Sequence, residues 1–258
     1  MKKWEVRRQL LLDELEKQGK MTVEELKALL GFSDSTARRL IVELEQDKRL
    51  IRCFGGIQRI QPSAGEYSYA DTEIENADHK LAIGRLAAGL VTEGDVIYLS
   101  GGSTVKCMAM ELARLLDERK LKDISVITNS LVASQVLAEH TNVILPGGIY
   151  CQKLQVLDGS LAEKNLRNLR FTKAFLGVVA LNDTDGFMTA DIETNSIIEV
   201  VLSKASCFYV LADSSKFGKH SFISYGKPGD AAGIITDSGL SPASCEAMQA
   251  QGAHIIMQ

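Results

Sequence analysis

Two clusters in this sequence have the residue types and spacing to hold an anion. In the first, an apolar run Val96-Ile97-Tyr98-Leu99 passes through Ser100-Gly101-Gly102-Ser103-Thr104 into Val105, Met108, Ala109 and Leu112 at helical spacing. That is the order strand, glycine loop, helix N-terminus. Gly101 and Gly102 let the backbone approach a ligand closely, Ser103 and Thr104 supply a cap and hydroxyls, and the helix's first free N–H groups carry partial positive charge. Such a loop suits a phosphate. A tight turn with a helix cap uses the same residues, so the loop alone does not decide. In the second cluster Ser33, Ser35, Thr36, Arg38 and Arg39 fall at the start of one helix. Arginine can bond guanine at O6 and N7, or a phosphate, and the hydroxyls can bond either.

The elements that must carry the arginines read as a helix-turn-helix. Residues 4–17 form a first helix with Val6, Leu10, Leu11 and Leu15 on one side, ended by Gly19. Thr22-Val23-Glu24-Glu25 is a capping box that opens a second helix with Val23, Leu26, Leu29 and Leu30 inward, and Gly31 stands where it stops. Ser33 caps a third helix whose inward residues Ala37, Leu40, Ile41 and Leu44 follow the i, i+3, i+4, i+7 pattern. The arginines lie off that stripe, where a recognition helix meets the major groove. From Leu50 to Ile60 two short β-type runs flank Gly55-Gly56, a hairpin that forms a wing with Arg52 and Arg59 at backbone phosphate.

Composition narrows the classes. The chain has 258 residues, 45% of them hydrophobic and 24% charged, as in an ordinary globular protein. No apolar run reaches the length of a membrane span, and the N-terminal residues lack a signal-peptide core. Five scattered cysteines without a CxxC pair imply reduced thiols in a cytoplasm, and four dispersed histidines imply no metal. Residues 1–60 hold 13 Lys and Arg against 10 Asp and Glu, whereas residues 61–258 hold 16 against 23. A mildly basic head on an acidic body points to the head as the part that meets a polyanion.

Residues 61–76, with Pro62 and Gly65, break the periodicity and read as a linker between a head (1–60) and a body (77–258). In the body, strands at 96–99, 124–128, 142–145, 173–179, 207–211, 232–235 and 254–257 alternate with helices at 104–117, 130–139, 160–169, 192–204 and 242–251. That alternation predicts an α/β domain with a mostly parallel sheet covered on both faces, and ligands bind at the carboxyl ends of such strands. The loops expected there are polar: Ser100–Thr104, Thr128-Asn129-Ser130, Pro146-Gly147-Gly148, Asn182–Gly186 with Asp183 and Asp185, Asp213–Gly218 with Lys216, and Thr236-Asp237. Together they would supply N–H donors, hydroxyls, carboxylates for sugar hydroxyls and a lysine for a phosphate.

Met21–Leu26, Phe32–Arg39 and Ile51–Gly56 together resemble the DNA-binding head of the DeoR family of bacterial transcription regulators. Leu99–Thr104, Val126–Ser130, Pro146–Gly148, Phe175–Gly177 and Ala212–Gly218 are similar to that family's effector domain. The match spans nearly the whole chain. It implies a winged helix-turn-helix on operator DNA and a body resembling ribose-5-phosphate isomerase that senses a phosphorylated sugar, the whole acting as a repressor. Leu40 stands where the family usually has Asp after the arginine pair, and Ser100 where it usually has Asp before the glycine loop.

The implied site residues are Ser33, Ser35, Thr36, Arg38, Arg39, Arg52, Gly55 and Gly56 for DNA, and Ser100, Gly101, Gly102, Ser103, Thr104, Thr128, Asn129, Ser130, Gly147, Gly148, Asp185 and Lys216 for the effector. No cofactor is expected, and a homo-oligomer, at least a dimer, is expected because symmetric heads read paired half-sites. Two other classes use the same residues. A sugar-phosphate isomerase with an accessory head would use Asp183, Asp185 and Lys216 to move protons. An architectural DNA-binding protein would leave the body without a purpose.

Overall fold

The computed structural model describes residues 2–18, 20–46, 49–53, 56–59 and 68–257. It divides into two compact units, Met1–Ser63 and Ala64–Gln258. In the first, helices α1 (Lys2–Gln18), α2 (Val23–Leu30) and α3 (Asp34–Gln46) pack with strands β1 (Lys20–Thr22), β2 (Leu50–Cys53) and β3 (Gly56–Arg59), the sheet running β1-β3-β2. The capping box is formed: Glu25 N–H donates to Thr22 Oγ1 at 3.2 Å, and Thr22 N–H to Glu25 Oε2 at 2.7 Å. Gly31 ends α2 in the left-handed conformation at φ 63°. Ala37, Leu40, Ile41 and Leu44 of α3 are all buried, each leucine or isoleucine contributing about 1.5–3 kcal/mol of burial free energy. On α1 the buried stripe is Leu11 and Leu15, four residues apart, while Leu10 is 44% exposed, one position round the helix from the core. Gly19, Phe54 and Gly55 lie outside the described residues.

The second unit begins with α4 (Tyr69–Ile74) and α5 (Ala77–Ala88). A helix therefore fills part of the stretch expected as linker. At six residues it is too short to show a 3.6-residue period, and residues 61–67 lie outside the described residues. The chain then runs through β4 (Val96–Leu99), α6 (Ser103–Asp117), β5 (Ser125–Thr128), α7 (Leu131–Leu137) and β6 (Asn142–Ile144). After a hairpin, β7 (Ile149–Cys151) and β8 (Val156–Asp158), come α8 (Ser160–Leu166) and β9 (Phe171–Gly177). Next are β10 (Ala180–Asn182), β11 (Gly186–Thr189), α9 (Ile192–Leu202) and β12 (Ala205–Leu211), followed by β13 (Ile223–Gly226), β14 (Gly233–Ile235), α10 (Pro242–Ala250) and β15 (Ile255–Ile256).

Seven of these strands form one parallel sheet in the order β15-β14-β12-β9-β4-β5-β6, as the alternation predicts. Successive side chains on a strand point to opposite faces. Ile97, Leu99 and Phe175 accordingly pack with α5, α6 and α7, while Tyr98, Ala174 and Leu176 pack with α8 and α9. Gly84 of α5 lets that helix lie against α6, since a Cβ there would come within 2.6 Å of the Cys107 carbonyl carbon. Two smaller antiparallel sheets were not legible in the sequence: β10-β11-β13 and the β7-β8 hairpin. Their strands have three or four residues, too few to show alternation.

Candidate functional site

On α3 the polar residues form a local network at the helix start. Ser33 Oγ lies 3.0 Å from Thr36 Oγ1 and 3.2 Å from Ser35 Oγ, and it accepts from Thr36 N–H at 3.4 Å. Arg38 is exposed, and its Nε donates to Asp34 Oδ2 at 2.7 Å, a bond that holds the Asp34 carboxyl below its ordinary range. The Arg39 guanidinium stands 5.6 Å over the Trp4 ring, which stacks on Phe32. Arg52 of the wing pairs with Glu45 at 2.7 Å. The face therefore carries exposed, pre-oriented guanidinium groups beside hydroxyls. Gly56 is not part of it: it is buried, and a Cβ there would collide with the Met21 carbonyl of β1. Its lack of a side chain serves the pairing of β1 with β3.

In the second unit a cavity opens at the carboxyl ends of β4, β5 and β9. Its lining includes Ser100–Val105, Asn129, Gly177–Val179, Lys80 and Lys216. Gly102 caps α6 at φ 118°, ψ 153°, a conformation that L side chains rarely adopt. A Cβ at Gly101 would come within 2.5 Å of Val156 Cγ1. Gly101, Gly102 and the first residues of α6, Ser103 to Val105, all line the cavity. Lys80 is 2% exposed, and its Nζ donates to the Thr72 carbonyl of α4. Burial pulls its ammonium below the usual lysine range; Asp213 opposes that shift and Lys216 adds to it. Asp213 is itself buried, with Oδ1 taking bonds from Asn76 and Ser215, while Oδ2 has no protein partner.

Two lysines and a helix N-terminus on one concave surface would suit an anion, with Asp191 as the carboxylate of the same lining. Among the described residues no group of His, Cys, Asp or Glu is placed to hold a metal ion, and no helix is long and apolar enough to cross a membrane.

Residues 7–63 match the family model described as DeoR-like helix-turn-helix domain, and residues 75–238 match the DeoR C terminal sensor domain. The chain belongs to the DeoR family. It is 33% identical over 233 residues to the uncharacterized HTH-type transcriptional regulator FruR of Bacillus subtilis (strain 168), with 90% of each chain covered. It is also 33% identical over 239 residues to the lactose phosphotransferase system repressor of Lactococcus lactis subsp. lactis, with 92% of each covered. Among solved structures, ribose 5-phosphate isomerase A from Methanocaldococcus jannaschii is similar over 55% of each chain, at 23% identity and a TM-score of 0.43. As a DeoR-family member the chain is a DNA-binding transcriptional regulator.

Of the effector residues expected in this DeoR-family chain, Ser100 to Thr104, Asn129 and Lys216 meet at the cavity. Thr128, Ser130, Gly147, Gly148 and Asp185 are not in its lining. Thr128 Oγ1 donates to the Leu99 carbonyl at 2.7 Å and Ser130 caps α7, so both brace the loop from behind. Asp185 sits in the β10–β11 turn, 2.9 Å from His220 Nδ1, because Asn182–Gly186 closes a hairpin and not a crossover of the main sheet. Gly148 packs on Asp158 and Ala162, where a Cβ would collide with the Asp158 carbonyl. Asn129 faces the cavity, but its amide is engaged on both sides, accepting from Tyr98 Oη at 2.9 Å and donating to the Leu157 carbonyl at 3.2 Å. Ser100 Oγ accepts from Gly177 N–H at 2.9 Å and donates to the Gly101 carbonyl, fixing the loop. Lys80 was missed. The signal was present: Lys80, Ile83, Gly84, Ala87 and Ala88 share one buried face of α5, and a lysine on an apolar stripe needs an anionic reason to be there.

Proposed function

We propose that this regulator is a repressor that binds paired operator half-sites through α3 and the wing, and whose operator affinity falls when a phosphorylated sugar enters the cavity. The observation that carries the reading is the convergence of Lys80, Lys216 and the N-terminus of α6 on one cavity. Three positive features on one lining suit a dianionic phosphate, and the apolar walls formed by Val156, Val178, Ile197 and Ile198 suit the C–H faces of a sugar. Arg38 and Arg39 read base edges or phosphate from the major groove, and Arg52 neutralises backbone phosphate. Two heads on one operator need at least a dimer, which light scattering at micromolar protein tests directly. The central experiment is a thermal-shift panel of pentose and hexose phosphates followed by operator gel shifts. A ligand at 100 times its dissociation constant adds about 2.7 kcal/mol to stability. A panel without a stabilising sugar phosphate, or turnover of one, refutes the proposal.

A further inference from the structure

We infer that α4 is a latch that the ligand itself releases: a docked α4 and a phosphate in the cavity compete for the same hydroxyl donor. The inference rests on the reading of the cavity as a sugar-phosphate site. A helix of six residues does not hold itself in water, so α4 stays where its tethers keep it. The carbonyls of a helix's last turn have no partner within the helix. On α4 that of Thr72 receives both Lys80 Nζ and Ser103 Oγ, the latter at 3.2 Å. Both donors line the anion cavity. A serine hydroxyl carries one proton, so Ser103 cannot donate to Thr72 and to a phosphate together. Lys80 carries three N–H donors and can serve both, so the competition falls on the Ser103 hydroxyl, for which a charged phosphate oxygen is an acceptor roughly twice as strong as a neutral carbonyl.

Of the remaining tethers, that of Glu73 lies outside the cavity lining, whereas Tyr69 lines it. Glu73 pairs with Lys106, and Tyr69 N–H donates to the Lys153 carbonyl at 2.9 Å. Apolar burial on α4 comes from Tyr69, 7% exposed, and not from Ile74, 83% exposed. In chain order α4 is the first described helix after the wing.

Hydrogen exchange on the full chain tests this with inorganic phosphate, ribose 5-phosphate and glucose 6-phosphate as probes. A closing lid would slow exchange in both 100–105 and 69–75. The latch slows 100–105 and speeds 69–75. Slowing at 100–105 with 69–75 slowed or unchanged overturns the latch and leaves the cavity reading standing; no change at 100–105 with any probe overturns both. Glu73→Gln, which touches only a tether, should lower the half-saturating concentration of the binding probe roughly two- to fivefold, the range of an exposed ion pair. Glu111→Gln removes a partner of Arg114 on the same helix α6 and should leave it unchanged. A Glu73→Gln protein with wild-type or weaker probe binding refutes the latch.

Discussion

Lys80→Met is the sharpest test of the effector site. Methionine keeps the length and flexibility of the stem and removes only the ammonium, which is 2% exposed and faces the cavity. A hydrogen bond to a charged group contributes about 1.5–3 kcal/mol, so the binding sugar phosphate should bind roughly 10- to 150-fold more weakly. The fold should tolerate the change. The bond to the Thr72 carbonyl is lost, but so is the cost of burying a cation, and Asp213 keeps its bonds from Asn76 and Ser215. A net change of about 1 kcal/mol moves Tm by roughly 2–4 °C in a chain of this size. The assay is calorimetric titration of the sugar phosphate beside a ligand-free melt. The pH dependence is a second readout with a fixed sign. Burial holds the Lys80 ammonium below the ordinary lysine value, so the cationic form is present below that lowered value and lost as pH rises through it. Wild-type binding should weaken on that alkaline limb earlier than a surface lysine would allow, and Lys80→Met should flatten it. A folded Lys80→Met protein with wild-type affinity refutes the role given to this residue.

Other substitutions probe the remaining parts. Arg38→Ala should cost roughly 1–3 kcal/mol of operator binding and relax specificity at one position, whereas Arg52→Ala should weaken all sequences alike and reduce the salt slope by about one, both read by gel shift across salt. Gly102→Asp and Gly102→Ala share a backbone penalty of about 1–3 kcal/mol at φ 118°, but only Asp brings negative charge to the cradle. Equal effector responses in the two would show that charge at this loop is irrelevant. Burial works against ionisation of Asp95, yet bonds from Lys173, Thr92 and Thr172 hold its pKa down to about 2. Its stabilisation, about 2 kcal/mol, is present above the ordinary carboxylate value and lost as pH falls toward the lowered one. Urea melts at pH 6 and pH 3 should show that loss in wild type and a smaller one in Asp95→Asn.

The fold was legible where one physical signal repeated over enough residues. The four inward positions of α3, the Thr22–Glu25 box and Gly31 each specify a local structure, and all three agree in the structure. The main sheet was legible because buried parallel strands are apolar throughout and alternate with helices. Short elements escaped. The three residues of β10 and the six of α4 carry no readable period, and their conformations are set by contacts outside the element, such as the pairing of β10 with β11 and the donors on the Thr72 carbonyl.

The effector site divides along a different line. Residue type announces that a group can donate or accept; it does not announce whether the fold has already engaged it. Ser100, Thr128, Ser130 and Asn129 all look like ligand-binding residues, and in the structure each has its side chain bonded to backbone or to a buried phenol. A buried polar group left without a partner costs about 1–3 kcal/mol, so hydroxyls at crowded strand ends are drawn into satisfying the loops that carry them. The groups that remain for a ligand are those whose charge the protein does not fully answer. Lys80 is the clearest of them: its ammonium sits against a neutral carbonyl, while the carboxylate that acts on it, Asp213, is held by Asn76 and Ser215. An incoming dianion supplies what that arrangement lacks. On the proposed function, the residue least visible to motif reading is therefore the one on which the binding free energy of a phosphate should most depend.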